Sequence, residues 1–126
     1  MYIKNFKELN VWKKSKSITI SIYKIFIDIK DYSFRNQIQR ASISIMNNIA
    51  EGFGRESNNE LIRFLRISKG SCYEVISMID ISLELSYINK ENKKELEEEL
   101  EIIAKMLNKF IRYLKTNKTN STNKTV

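Results

Sequence analysis

Four stretches of this chain space their apolar residues alternately four and three positions apart, and no proline interrupts any of them. That spacing follows the 3.6-residue turn of an α-helix, so each stretch gathers its apolar side chains on one face that has to be buried against a neighbour. The clearest case is Leu96, Leu100, Ile103, Leu107, Phe110 and Leu114. Glu91, Glu95, Glu97, Glu98 and Glu99 crowd its start, and Lys109, Arg112 and Lys115 its end, which is the order the helix macrodipole favours. With Asn89 as N-cap, a helix over about 90–115 is predicted.

Upstream, Ser57 and Glu60 stand at capping-box spacing. They open a helix of about 57–87 whose seam is Leu61, Leu65, Ser68, Cys72, Val75, Ile79 and Ser82. Gly70 sits inside it at a cost of about 1 kcal/mol relative to alanine, which predicts a close backbone approach or a local bend there. Phe34, Ile38, Ala41, Ile45 and Ile49 predict a helix over 33–51, with Gly52 at the left-handed C-cap position and "EGFGRES" as the connection to Ser57. The first stretch is ambiguous, because "ITISIYKIFIDI" alternates like a strand. Val11, Ser15, Ile18, Ile22, Ile25 and Ile29 nevertheless keep the helical spacing, no glycine breaks residues 6–29, and three helical neighbours leave a strand without a sheet partner. A helix over 6–29 is predicted.

One domain's length and four helical faces predict an all-α fold, an up-and-down antiparallel four-helix bundle over residues 1–115. Residues 116–126 are polar and aperiodic and are expected to form a disordered tail. Leu9, Trp12, Ile20, Tyr23 and Ile27 form a second apolar stripe, opposite the first on helix 1. A small bundle cannot bury both faces of one helix internally, so this stripe predicts a homo-oligomer interface; cover by the chain ends is the alternative.

Composition removes much chemistry. With no histidine and one cysteine, neither a zinc site nor a Ser-His or Cys-His nucleophile pair can be assembled in the usual way. Glu51, Glu56 and Glu60 lie close together, but bundle di-metal sites need Glu-x-x-His pairs. "GFGRES" lacks the lysine-hydroxyl pair and preceding strand of a phosphate loop. Cys72 lies on a core seam and reads as a buried thiol. No catalytic residue, cofactor, metal or small-molecule substrate is expected. Lys24, Asp28 and Lys30 interrupt the most apolar stretch, and "MYIKNFKELN" lacks a signal-peptide h-region, so no membrane partner and a cytoplasmic location are expected.

The net charge is +7 and unevenly spread: residues 1–48 hold nine Lys or Arg against three acids, whereas residues 49–114 hold ten against twelve. Lys4, Lys7, Lys13, Lys14 and Lys16 with Trp12 nearby form a footprint suited to an anionic partner. The arginine forks of Arg35, Arg40, Arg55, Arg63 and Arg66 suit phosphate or carboxylate, with Arg63 also in reach of Glu60 and Arg40 of Glu74.

The stretch "QIQRASISIMNNIAEGFGRESNNELIRFLRISKGSCYE", residues 37–74, resembles the signature of the four-helix-bundle proteins encoded in intervening sequences of bacterial 23S ribosomal RNA genes. Gln39 stands where that family commonly has arginine, and Met46 where it commonly has proline. The resemblance implies a ring-like homo-oligomer, a homopentamer, with nucleic acid as partner. On this basis the chain is expected to be a non-enzymatic RNA- or DNA-binding bundle with phosphate contacts from Lys13, Lys14, Lys16, Arg35 and Arg55. Arg40, Asn48, Glu51, Gly52, Ser57, Glu60 and Glu74 are expected to form a structural network at the helix corner. The alternative is a protein-protein interaction scaffold with no nucleic-acid role.

Overall fold

The computed structural model describes residues 3–117; the expected tail from residue 118 onward lies outside them. A 3₁₀ turn, Phe6–Glu8, leads into α1 (Asn10–Ile25), α2 (Tyr32–Phe53), α3 (Asn58–Glu84) and α4 (Lys90–Thr116), and there is no strand among the described residues. Three of the four helices start on a polar side chain that accepts a free backbone amide. Asp31 accepts from Phe34 N at 3.2 Å, Ser57 from Glu60 N at 3.1 Å and Asn89 from Asn92 N at 2.7 Å.

The first helix is shorter at both ends than the 6–29 its period predicts. Asn5 caps the 3₁₀ turn instead, accepting from Lys7 N at 2.9 Å, and Leu9 is extended (φ −71°, ψ 126°). This break turns Ile3 and Leu9 into the core and sets the Phe6 ring edge-on against Trp12, 5.2 Å between centroids. At the other end, Phe26 is buried and its backbone amide closes the helix onto Ile22 O, leaving Ile27 in the turn beyond.

Polar contacts give the direction of each pair, because residue numbers fall on one helix as they rise on the next. Between α1 and α2, Thr19 Oγ1 donates to Ser42 O at 3.1 Å, and from α2 Arg35 Nη1 donates to Ile27 O in the turn after α1 at 3.4 Å. Between α2 and α3, Ser68 Oγ donates to Ile45 O at 2.7 Å, and the Ser44 and Ser71 hydroxyls meet at 2.8 Å. Between α3 and α4, Cys72 Sγ lies 3.4 Å from Leu100 O, and Lys93 pairs with Asp80 at 3.6 Å. Each helix packs on its sequence neighbour, and α1 packs on α4, which closes an up-and-down antiparallel four-helix bundle. Phe26, Ile38, Ile45, Ile49, Leu65, Ile79, Leu100, Ile103 and Leu107 are all buried in one core. Ser15, Ser42, Ser68 and Ser82 share it without a desolvation penalty, since each hydroxyl donates to a carbonyl.

Two glycine expectations are corrected. Gly52 is not a left-handed cap: α2 continues through it to Phe53, and the C-cap is Gly54 at φ −75°. Its role is proximity, because a Cβ at position 52 would lie 2.6 Å from the Cβ of Phe64 on α3. Gly70 marks no close approach, since a Cβ there would meet nothing within 4 Å, and α3 runs on past it.

The left-handed residue is Ser86, at φ 61°. It ends α3 in a Schellman motif, with Ser86 N donating to Leu83 O at 3.0 Å and Tyr87 N to Ser82 O at 2.9 Å. Glycine adopts that conformation without the Cβ penalty, and alanine is favoured over glycine inside a helix. Gly70→Ala and Ser86→Gly are therefore each expected to stabilise the fold by about 0.5–1 kcal/mol, additively because the sites share no partner. Urea unfolding midpoints of the single and double variants check this.

Candidate nucleic-acid interface

The antiparallel order brings the start of α1, the end of α2, the start of α3 and the end of α4 to one end of the bundle. Residues 3–16, 46–70 and 105–117, which build that end, carry thirteen Lys or Arg against four acids. Residues 17–45 and 71–104, which build the other, carry seven against eleven. The asymmetry along the sequence thus becomes a polarity along the bundle axis. Lys105, Lys109, Arg112 and Lys115 at the end of α4 join the lysines of α1. From the sequence, the last three serve only as complements to the helix macrodipole; the antiparallel topology is the signal that adds them to the basic surface.

The five expected contact residues do not form one cluster. Lys13, Lys14 and Lys16 lie on the first turns of α1, where Lys13 is exposed, Lys14 pairs with Glu99 at 3.6 Å and Lys16 Nζ stands 5.6 Å from the Trp12 ring centroid. Arg55 belongs to the same end, in the α2–α3 connection, 3.7 Å from Glu51. Its guanidinium lies 4.9 Å from the Phe64 ring centroid, and that of Arg63 lies 4.6 Å from the same ring. Phe64 thereby fixes two arginines at the corner. Arg35 is at the opposite end, over the Tyr32 ring at 4.8 Å, so it shares no surface with the other four. The ion pairs that Lys14 and Arg55 make are largely solvent-exposed, and pairs of that kind are worth little.

The expected corner network separates into three parts. At the corner itself, Ser57 caps α3, Glu51 pairs with Arg55, and Glu60 pairs with Arg63 at 3.2 Å. The hydrogen bond and charge of Arg63 hold the Glu60 carboxyl below its ordinary range. Gly52 lies behind them against Phe64. Asn48, a turn earlier, donates to Ser44 O at 2.8 Å and to its hydroxyl at 2.9 Å. Arg40 and Glu74 are far from the corner, in an open α2–α3 groove of about 590 Å³ shared with Ser33, Asn36 and Gln37, and they do not pair with each other. Twelve residues of helix, about 18 Å, separate Arg40 from Gly52.

The second stripe on α1 also divides. Leu9 and Trp12 are 1% and 8% exposed, covered by their own chain because the N-terminal segment folds over them. Ile20, Tyr23 and Ile27 remain exposed, as do Ile67 and Ile81 along α3 and Leu85 at its C-cap.

Among the described residues no group of three or more acidic or cysteine side chains is placed to hold a metal ion, and no helix is long and apolar enough to cross a membrane. Burial pushes the Cys72 thiol up to about 12, with the Glu101 charge adding to the effect. Cys72 is accordingly expected to resist an aromatic disulfide reagent at pH 8 and to react at once in denaturant. The shift also sets a sign: above the ordinary thiol value of 9.0 the unfolded chain ionises while the folded one stays neutral, so this thiol opposes folding increasingly up to about pH 12.

Fold and charge together define a small up-and-down four-helix bundle with one basic end. The chain belongs to the 23S rRNA-intervening sequence protein family, whose model matches residues 7–109. It is similar in structure to a protein of unknown function from the S23 ribosomal protein family of Bacteroides thetaiotaomicron VPI-5482. The TM-score is 0.76 at 25% sequence identity, covering 81% of this chain and 98% of that one. Comparison with curated proteins gave no significant match.

Proposed function

We propose that this protein is a non-enzymatic, cytoplasmic, oligomeric bundle that binds RNA, or DNA, through phosphate contacts from its basic end. The observation that carries this reading is the gathering at that end of thirteen cationic side chains from the N-terminal segment, α1, the α2–α3 connection, α3 and α4. Contacts to phosphate of this kind are salt-dependent and weakly sequence-selective. Lys13, Lys14, Lys16 and Arg55 are the contact residues, joined by Lys105, Arg112 and Lys115 of α4; Arg35 at the far end is left out.

Assembly as a ring, a homopentamer, is supported by the exposed apolar residues of α1 and α3. A ring needs two different patches, one for each neighbour, and Ile20 and Tyr23 on α1 with Ile27 in the turn after it face solvent independently of Ile67 and Ile81 on α3 with Leu85 at its C-cap. The same exposed residues favour the second reading, a scaffold that presents these faces to a protein partner.

Light-scattering-coupled size exclusion with and without total RNA tests both. An oligomer that takes up RNA at low salt and releases it at high salt is expected. An oligomer indifferent to RNA would favour the scaffold, and a monomer would remove the ring.

A further inference from the structure

The basic end also holds a recess that phosphate contacts do not use. Between the N-terminal turn, the start of α1 and the last turns of α4 lies a cleft of about 470 Å³ walled by Ile3, Leu9, Val11, Met106 and Phe110. All but Met106 are buried, so the core itself fixes the walls. The mouth is different, with Glu8, Asn10, Lys109 and Tyr113 offering a carboxylate, an amide, an ammonium and a phenol. Lys4, Lys7, Lys105 and Arg112 are immediate chain neighbours of lining residues.

We propose that this cleft takes an unpaired base of a single-stranded nucleic acid while the surrounding cations hold the adjoining phosphates, an inference that rests on the nucleic-acid reading above. Its volume lies in the range of small-molecule sites, with apolar walls and a few polar groups to set orientation. A base is a flat apolar body with donors and acceptors along its edge, and this mouth supplies acceptors in Glu8 and Asn10, a donor in Lys109 and an aromatic ring for stacking in Tyr113, whose hydroxyl accepts from Asn117 Nδ2 at 3.2 Å. An acyl chain with an anionic head would use the walls and the lysine but would meet the Glu8 carboxylate at the entrance. A duplex keeps its bases stacked and paired, so it reaches the phosphate-binding cations without entering the cleft.

Methionine-methyl NMR on the intact chain tests this, since Met106 lines the cleft whereas Met46 and Met78 lie elsewhere on α2 and α3. The probes are adenosine monophosphate, a ten-nucleotide oligoadenylate, a duplex of equal length and laurate, all at low salt. The Met106 signal is expected to move with the mononucleotide and the single strand, while the duplex binds and leaves it in place. Tyr113→Ala is expected to weaken the single strand about tenfold more than the duplex, because the base loses its stacking partner. A single strand that binds without moving Met106 would overturn the cleft inference and leave the basic-end reading standing. So would a Met106 shift produced by laurate and not by nucleotide. If neither oligonucleotide binds, both readings fall together.

Discussion

Gly52→Ala is expected to destabilise the bundle by about 2 kcal/mol, although the same exchange at Gly70 is expected to stabilise it. Alanine gains about 1 kcal/mol of helix propensity at either position. At position 52 the new methyl carbon would lie 2.6 Å from the Phe64 Cβ and 3.1 Å from Leu61 Cδ1. A Cβ cannot swing away as the tip of a long side chain can, so α2 and α3 have to separate locally. Overpacking of this sort costs about 1–3 kcal/mol, more when backbone must move, and here it outweighs the propensity gain. The thermal midpoint should fall by on the order of 5–10 °C, measured by circular dichroism beside Gly70→Ala as the control. A midpoint for Gly52→Ala equal to or above that of the parent would mean that the α2–α3 crossing is not closed as described.

The second large effect concerns binding. Reversing Lys13, Lys14 and Lys16 to glutamate is expected to lower RNA affinity by roughly a hundredfold or more at low salt and to reduce the salt slope by about 0.9 for each phosphate no longer neutralised. Reversing Lys105, Arg112 and Lys115 on α4 should do the same, although almost ninety residues separate the two sets in the chain. Reversing Lys24, Lys30 and Arg35, which belong to the basic N-terminal half of the sequence but to the other end of the bundle, should cost far less. Fluorescence anisotropy with one labelled RNA across a salt series compares the three. A larger effect from the third set than from the second would show that the binding surface follows α1 and α2 and not the bundle end. Unchanged affinity in all three, with assembly intact, would leave the scaffold reading.

The helices were largely legible because an apolar period and a polar cap are local signals. Asp31 was the cap not anticipated, yet α2 begins one residue before the position its period predicts. Failures came where a local signal was outweighed at a distance. The period of α1 continues to residue 29, but burying Phe26 and opening a turn toward Asp31 ends the helix at Ile25. Trp12 lies on the outer stripe by its angle, yet Phe6 and the 3₁₀ turn cover it. Gly52 followed by a polar turn has the pattern of a left-handed cap, and only the position of Phe64 reveals a packing contact.

The amino-acid sequence by itself determined that this chain is all helix, that its helices pair as near neighbours, and that its cations outnumber its acids, because periodicity, caps and charge are properties of short stretches. The tertiary structure decided which cations stand together, which half of the second stripe stays open to a partner, and where a cleft forms. Those properties depend on how distant turns meet, and antiparallel packing sets the first turns of α1 beside the last turns of α4.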